Sequence, residues 1–352
     1  MSAWEAAEGA GDGSGGNTGS AEGGGAQTAV FKRLKLASMH NDTLRCLDAL
    51  FVAAQHDNSA LAADLFAVGA TCRAARIEES FWSALVRAHV GPEQRTALMY
   101  AAFSDDAPRV RWILGRGQPL ELLAARDVAG RTALHWAASG GSAAATHALL
   151  ESGADVNVWS DPDAALGEQP IHEAAGTLMG AGAFVTQLLL DAGADVDAVE
   201  NEGEPGCGHT PLHMAAMSGC TDTARILIAA GADLDFLNEN HDPPLYICAW
   251  NGSYETLRVL LEAGASISAG DHSPLGVAVR YCRGDEAALL LEAGYDVNEI
   301  DADGLTALDH VGSGQFGTPS TGDRAPIIAL LLRHGASTGA ELMHVEEADV
   351  RK

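Results

Sequence analysis

A phrase that returns about every 33 residues is the feature of this chain that most constrains its fold. It starts with Thr-x-Leu-His or a variant, continues with an Ala-Ala pair and a leucine run, and ends in Gly-Ala-Asp. The three nearly complete copies begin at Thr132, Gln169 and Thr210. Weaker copies begin at Thr96, Pro243, Ser273 and Thr306. Such self-similarity predicts a stack of equal units rather than one central core.

The local residues of each copy predict two short helices. In Thr210-Pro211, the threonine can cap the helix with its side chain and the proline takes the first helical position. An N–H at that position has no partner within the helix, so its absence in proline loses no hydrogen bond. The Ala-Ala pairs keep this first helix thin, so neighbouring copies can approach closely. The leucine runs predict a second helix that carries the larger core residues. We expect that helix to end at glycine, in the left-handed conformation, at Gly153, Gly193, Gly231, Gly264, Gly294 and Gly335.

The period and the phrase resemble the ankyrin repeat. The resemblance implies an all-α fold, an ankyrin-type helix-turn-helix solenoid of about seven repeats with protruding β-hairpin turns. We predict ankyrin repeats over residues 92–338, preceded by a disordered Gly-rich tail at 1–27 and a small helical segment at 28–91. Residues 339–352 are predicted to form a C-terminal tail. A solenoid of this kind usually acts by binding other molecules on its extended surface.

The charge of the chain narrows its possible partners. With 48 Asp and Glu against 21 Lys and Arg, the net charge is −27. This charge repels phosphate backbones and anionic lipids, so neither nucleic acid nor a membrane is an expected partner. A protein partner with basic flanks is favoured. The six cysteines form no Cys-x-x-Cys pair and no signal peptide precedes the repeats, which predicts a cytoplasmic or nuclear protein.

We found no motif for catalysis, for a cofactor or for a metal site, so we predict that the chain is not an enzyme. His135, His172 and His213 occupy the same position in three copies, where the ankyrin resemblance implies a hydrogen bond to the neighbouring turn. A remote alternative is an enzyme whose groove holds His213, Cys248 and Glu173. Those residues come from different copies, and their spacing indicates no pairing of a base with a nucleophile.

A stripe of large apolar residues marks the predicted binding surface. The resemblance implies that the residue after the His position, and the one after the Ala-Ala pair, point into a concave groove. The predicted partner-binding residues are Tyr100, Phe103, Trp136, Met214, Met217, Ile247, Trp250 and Tyr281. Aromatic and methionine side chains are typical of interaction hot spots. We therefore predict a non-catalytic protein–protein interaction module; the alternative is that some of these side chains are core.

Residues 61 to 86 suggest a second function. Their pattern looks like the second half of an F-box, and the matching residues are Val68, Cys72, Arg73, Trp82 and Leu85. The resemblance implies that these residues bind an adaptor subunit and that the chain is a substrate-recognition receptor of a cullin-type ubiquitin ligase. The Leu-Pro opening of that family is missing here. The alternative is a helical cap that shields the first repeat.

Asn157 is a candidate modification site. The sequence from Leu149 to Val158 is similar to the ankyrin sequences on which asparaginyl hydroxylases act, with Asn157 as the acceptor. Asparagine at this hairpin position is also common for structural reasons, so both interpretations are kept.

Overall fold

The computed structural model describes residues 89–90, 94–115, 119–161, 167–178, 181–200, 208–301, 304–311 and 324–341. All of them belong to the unit Trp82–Lys352. The predicted tail 1–27, nearly all of the segment 28–91 and most of the tail 339–352 lie outside the described residues. The same holds for the predicted adaptor-binding residues Val68, Cys72, Arg73, Trp82 and Leu85.

The described ranges contain a two-stranded ladder and fifteen helices. Strands β1 (His89–Val90) and β2 (Arg95–Thr96) pair antiparallel, with His89 opposite Thr96. In chain order the helices are α1 (Ala97–Phe103), α2 (Ala107–Leu114), α3 (Pro119–Leu123), α4 (Ala133–Ser139), α5 (Ala143–Glu151), α6 (Pro170–Gly176), α7 (Gly182–Asp191), α8 (Pro211–Ser218), α9 (Thr221–Ala229), α10 (Pro244–Asn251), α11 (Tyr254–Ala263), α12 (Pro274–Arg280), α13 (Gly284–Glu292), α14 (Ala307–His310) and α15 (Ala325–Arg333).

Apart from α3, these helices form seven consecutive pairs, α1 with α2 and then α4 with α5 through α14 with α15. We call the members of each pair its first and second helix. Each predicted start of a copy is the N-cap residue of a first helix, at Thr96, Thr132, Gln169, Thr210, Pro243, Ser273 and Thr306. The structure therefore confirms the seven-copy division, and with it the all-α fold of stacked helix pairs.

The first helices pack against one another in one layer and the second helices in another. Between the layers lie fully buried leucine and isoleucine side chains, such as Leu134, Ile171 and Leu212. Both alanines of the pairs in α4, α6 and α8 are also buried. Because a methyl group is the largest side chain at those positions, neighbouring first helices come into close contact, as the sequence predicts.

The second helices end as predicted. The six glycines that follow them have positive φ angles, from 83° at Gly335 to 94° at Gly264. A side chain in this left-handed region is strained, so glycine is the residue that closes the helix with least cost. Each turn then leads to the next N-cap, and the chain repeats the same pair of helices.

Candidate functional site

The repeated histidines connect each repeat to the next one. In repeats two to four, the imidazole Nδ1 accepts a hydrogen bond from the N-cap backbone N–H, at 3.1 Å for His135, 3.1 Å for His172 and 3.2 Å for His213. Each Nε2 lies 2.8–3.0 Å from a carbonyl of the following turn, which belongs to Glu168, Ala198 or Asp242. Because Nδ1 accepts, Nε2 carries the proton and donates it to that carbonyl. The predicted structural role of these residues is confirmed.

Burial keeps these imidazoles neutral. It lowers the pKa of His135 to about 4 and that of His213 to about 3, and it lowers the pKa of His172 as well. A neutral ring that donates from one nitrogen and accepts on the other satisfies two buried backbone groups at once.

The remote enzyme alternative gains no support from this geometry. Both ring nitrogens of His213 are occupied by backbone groups of Thr210 and Asp242. Cys248 is fully buried, and burial raises the pKa of its thiol, so the reactive thiolate is disfavoured. Among the described residues, no group of three or more His, Cys, Asp or Glu side chains is arranged to hold a metal ion.

The predicted groove corresponds to the outer side of the first helices, which we call the first-helix face. Its N-terminal cluster is formed by Arg95, Phe103, Asp127, Arg131 and Trp136. The indole Nε1 of Trp136 donates a hydrogen bond to Asp127 Oδ2 at 3.1 Å. The guanidinium groups of Arg95 and Arg131 lie 4.1 Å and 4.3 Å from the centre of its ring, and the Phe103 ring meets it edge-on at 5.7 Å. Trp136 is therefore half-buried and held by its neighbours, not free as an anchor.

The ion pairs of this cluster continue to the third repeat. Arg131 Nε lies 3.3 Å from Asp127 Oδ2, and its Nη1 lies 3.8 Å from Glu173 Oε1. Burial is the main cause that raises the pKa of Glu173, whose side chain is only 15% exposed. The sequence interpretation missed the roles of Arg95, Asp127 and Arg131. The available signal was Asp127 in the turn before Gly130 and Thr132, in the same place as Asp301 before Gly304 and Thr306.

The other end of the first-helix face is open. Met217 on α8, Trp250 on α10 and Tyr281 at the C-cap of α12 are 41%, 46% and 39% exposed, and we call them the C-terminal patch. Helix α10 packs directly on α8 and on α12, so the three residues belong to consecutive repeats. Within the described part of the chain, the Trp250 indole makes no hydrogen bond, ring contact or cation contact.

The remaining predicted anchors differ in exposure. Phe103 is 40% exposed, whereas Tyr100 and Met214 are half-buried. Ile247 is only 2% exposed, so its assignment to the binding surface is wrong. It occupies the same repeat position as Met214, but the flanking first helices α8 and α12 both pack on its helix, and the short β-branched side chain does not extend beyond them. Ile247 is a core residue.

Asn157 lies at a hairpin tip and connects two repeats. Its Nδ2 donates to the carbonyl of Gly193 at 3.2 Å, and its Oδ1 accepts from the backbone N–H of Asp195 at 3.2 Å. Asn298 makes the same pair of bonds, to Gly335 and Ser337. This geometry accounts for asparagine at the position. Hydroxylation of Asn157 stays a prediction, which mass spectrometry of the protein from its native host tests.

Comparison with known proteins identifies the family of these repeats. The family model described as "Ankyrin repeats (3 copies)" matches residues 50–160 and 171–271, more than half of the chain. The chain belongs to the ankyrin repeat family. The first match begins inside the segment 28–91, which the sequence pattern assigns to a separate helical segment, and it overlaps the F-box-like residues. The F-box-like interpretation therefore stays a prediction.

Several ankyrin repeat proteins are similar to this chain over part of its length. Ankyrin repeat domain-containing protein 37 from Homo sapiens is 37% identical over 92 residues, 26% of this chain and 51% of that protein. Ankyrin repeat and KH domain-containing protein mask-1 from Caenorhabditis elegans is 32% identical over 142 residues, 40% of this chain but 5% of that protein. The chain thus spans about half of the first relative and a twentieth of the second.

A solved structure supports the same assignment. The ankyrin repeat domain of human ASB11 superimposes with a TM-score of 0.57 at 25% identity and covers 69% of this chain and 99% of its own. Ankyrin repeats are generally protein–protein interaction modules. None of the helices within the described ranges is both long and apolar enough to cross a membrane.

Proposed function

We propose that this ankyrin repeat protein is a non-catalytic protein–protein interaction module that binds a segment of a partner protein at the C-terminal patch. The observation that carries the proposal is the exposure of Met217, Trp250 and Tyr281, which is 39–46% on three consecutive repeats. Single exposed apolar residues are ordinary, but an adjacent group of three that contains Trp and Tyr has the composition of a hot spot.

The net charge of −27 adds a long-range preference. It favours encounter with a partner that has basic residues flanking the bound segment, and this attraction weakens as salt screens it. We expect the association rate constant to fall between 0.05 M and 0.5 M salt, while the dissociation rate constant changes less.

The test is selection of peptides from a displayed random library on the full chain. We expect the selected peptides to lose at least about tenfold in affinity for Trp250→Ala, because a central aromatic anchor typically contributes more than 1.4 kcal/mol. Phe184→Ala is the matched control: Phe184 is 59% exposed on α7, in the layer of second helices. Equal losses in the two variants, or no loss in Trp250→Ala, contradict the proposal.

A second candidate function is that of a substrate-recognition receptor of a cullin-type ubiquitin ligase. Its support is the F-box-like sequence that contains Val68, Cys72, Arg73, Trp82 and Leu85. A pull-down with a purified adaptor subunit tests it: Trp82→Ala loses the adaptor, and Trp159→Ala, at an exposed site among the repeats, keeps it. Failure of the wild-type chain to retain the adaptor rejects this candidate and leaves the first one unaffected.

A further inference from the structure

Arg283 departs from the pattern of the repeats. It is the N-cap residue of the second helix in repeat six, α13. In the first five repeats this position carries a short side chain, at Asp106, Ser142, Ala181, Cys220 and Ser253. Repeat seven also has arginine, but Arg324 donates a hydrogen bond to the carbonyl of Val311 at 2.7 Å.

The guanidinium of Arg283 lies beside the C-terminal patch. It lies against Gly252, two residues after Trp250, and Arg283 itself follows Tyr281 by two residues. A Cβ atom at Gly252 would lie 2.5 Å from Nη1 of Arg283, so only glycine leaves room for this arrangement. Gly252 also has a φ of 77°, in the left-handed region. The guanidinium thus lies against the residue that caps the C-terminus of α10, the helix that carries Trp250.

Among the described residues, the guanidinium has no acidic partner. Its Nε is buried without a hydrogen-bond partner, and no carboxylate of the described residues lies within 4.0 Å of it. Glu286, one turn further on α13, is buried and does not pair with it. By contrast, the exposed Arg258 pairs with both Glu255 and Glu262. In a chain with 48 acidic residues, a half-buried arginine left without a carboxylate is an open binding position.

The residue between Tyr281 and Arg283 is strained. Cys282 has a φ of 59°, in the region that Gly219 and Gly252 occupy in the two preceding repeats. Residues other than glycine have a higher conformational free energy in this region, and such backbone strain is concentrated at functional sites. Asp105 has the same conformation at this position of repeat one, with a φ of 54°, so what sets the turn of repeat six apart is the combination of Cys282 with Arg283.

We propose that Arg283 selects a partner segment that carries an anionic side chain beside its apolar anchor. The proposal rests on the proposed function, because the apolar anchor is the one that packs on Trp250. Arginine presents a planar fork of N–H donors that matches two oxygens of a carboxylate or of a phosphoryl group. We commit to a carboxylate of Asp or Glu as its source, and a phosphorylated segment is an outcome of the test.

The test uses the full chain and a library-selected peptide that binds in a Trp250-dependent way. We expect Arg283→Gln to weaken its binding about tenfold, because the charge-assisted hydrogen bonds are lost. Replacing the peptide's acidic residue with its amide should weaken binding equally and remove the effect of Arg283→Gln. Arg283→Glu should prefer a peptide with Lys at that place. Arg225→Gln, at an exposed site on α9, is the matched control, and thermal unfolding verifies that each variant folds.

The outcomes separate the two proposals. Selection of no Trp250-dependent peptide overturns the proposed function and this inference with it. Trp250-dependent peptides that bind Arg283→Gln as tightly as the wild type overturn the inference alone. A phosphoserine peptide that binds at least tenfold better than its Asp version supports the anion site but assigns it to phosphate. A wild-type dimer that Trp250→Ala dissociates in sedimentation shows that a second copy occupies the patch, and the proposed acidic segment is then wrong.

Discussion

Repeats two to four and repeats five to seven follow one backbone plan but are held together by different side chains. The position three residues after the N-cap is histidine in the former group, at His135, His172 and His213, and Tyr246, Gly276 and Asp309 in the latter. The histidines each connect two repeats through buried backbone groups. The later group lacks this uniform connection, and the exposed aromatic residues Trp250 and Tyr281 belong to it.

The two tryptophans of the first-helix face show the same difference. Trp136 is enclosed by two guanidinium groups, a carboxylate and the Phe103 ring, whereas Trp250 is 46% exposed and makes none of these contacts. An aromatic residue that contacts its own protein on several sides contributes to stability; one left in solvent costs solubility unless a partner covers it. The side-chain environment, and not the residue type, separates a structural from a binding role.

The largest expected effect concerns stability at these two tryptophans. We expect Trp136→Ala to lower the free energy of unfolding by about 3 kcal/mol, because it removes a part-buried hydrogen bond and the ring that both guanidinium groups cover. Trp250→Ala should change it by less than about 1 kcal/mol, as for other exposed sites. Urea denaturation of both variants measures the difference. Similar losses in the two variants would show that the contrast between the two regions is wrong.

Local sequence signals predicted the fold well because caps and helix ends depend on neighbouring residues. Thr210-Pro211 starts a helix and Gly231 closes the next one without reference to the rest of the chain. Burial is different, since it depends on residues one repeat away. The side chains of Met217 and Trp250 are exposed, as their repeat positions predict, but Ile247 is covered by the flanking helices. No local pattern indicates that Arg95, 41 positions before Trp136, lies over its ring.

The role of Arg283 was missed for a related reason. Alignment of the seven copies places arginine at a position where the first five have short side chains, which is a visible departure in the sequence. The sequence does not show whether a carboxylate approaches it, because Glu286 is near in the chain and yet unpaired. The signal for a site was present, and its chemistry required the three-dimensional contacts.

The second prediction concerns acid and repeats two to four. An unfolded histidine titrates near pH 6.5, whereas burial lowers the pKa of His135 to about 4 and of His213 to about 3. Between the folded and the unfolded pKa, the unfolded chain binds more protons than the folded chain. The contribution of these histidines to the free energy of unfolding is therefore complete above pH 6.5 and falls as the pH is lowered. At pH 4.5 the loss is about 2 to 3 kcal/mol for His135 and about the same for His213. Hydrogen exchange should show repeats two to four opening before repeats five to seven.

A histidine variant isolates this contribution from the carboxyl groups. Burial, with the charges of Glu173 and Glu200, raises the pKa of Glu168 to about 8, and this group favours the folded state as the pH falls. We therefore compare His135→Gln with the wild type at each pH. The destabilisation by His135→Gln should be about 2 kcal/mol smaller at pH 4.5 than at pH 7.5. His147→Gln, on the exposed side of α5, controls for loss of a histidine as such. A destabilisation by His135→Gln that stays constant with pH would contradict the mechanism.

The smallest expected effect lies at the turn of repeat six. Cys282 has a φ of 59°, and glycine at this position removes the steric cost of its side chain. Cys282→Gly should therefore raise the free energy of unfolding by about 1 kcal/mol, less what the freer unfolded chain gains from glycine. Cys282→Ala retains the Cβ atom, removes the thiol and should bring no gain. If the strain holds Arg283 in place, Cys282→Gly also weakens binding of the Trp250-dependent peptide while it stabilises the fold. A gain in both stability and binding would show that the strained turn does not serve the patch.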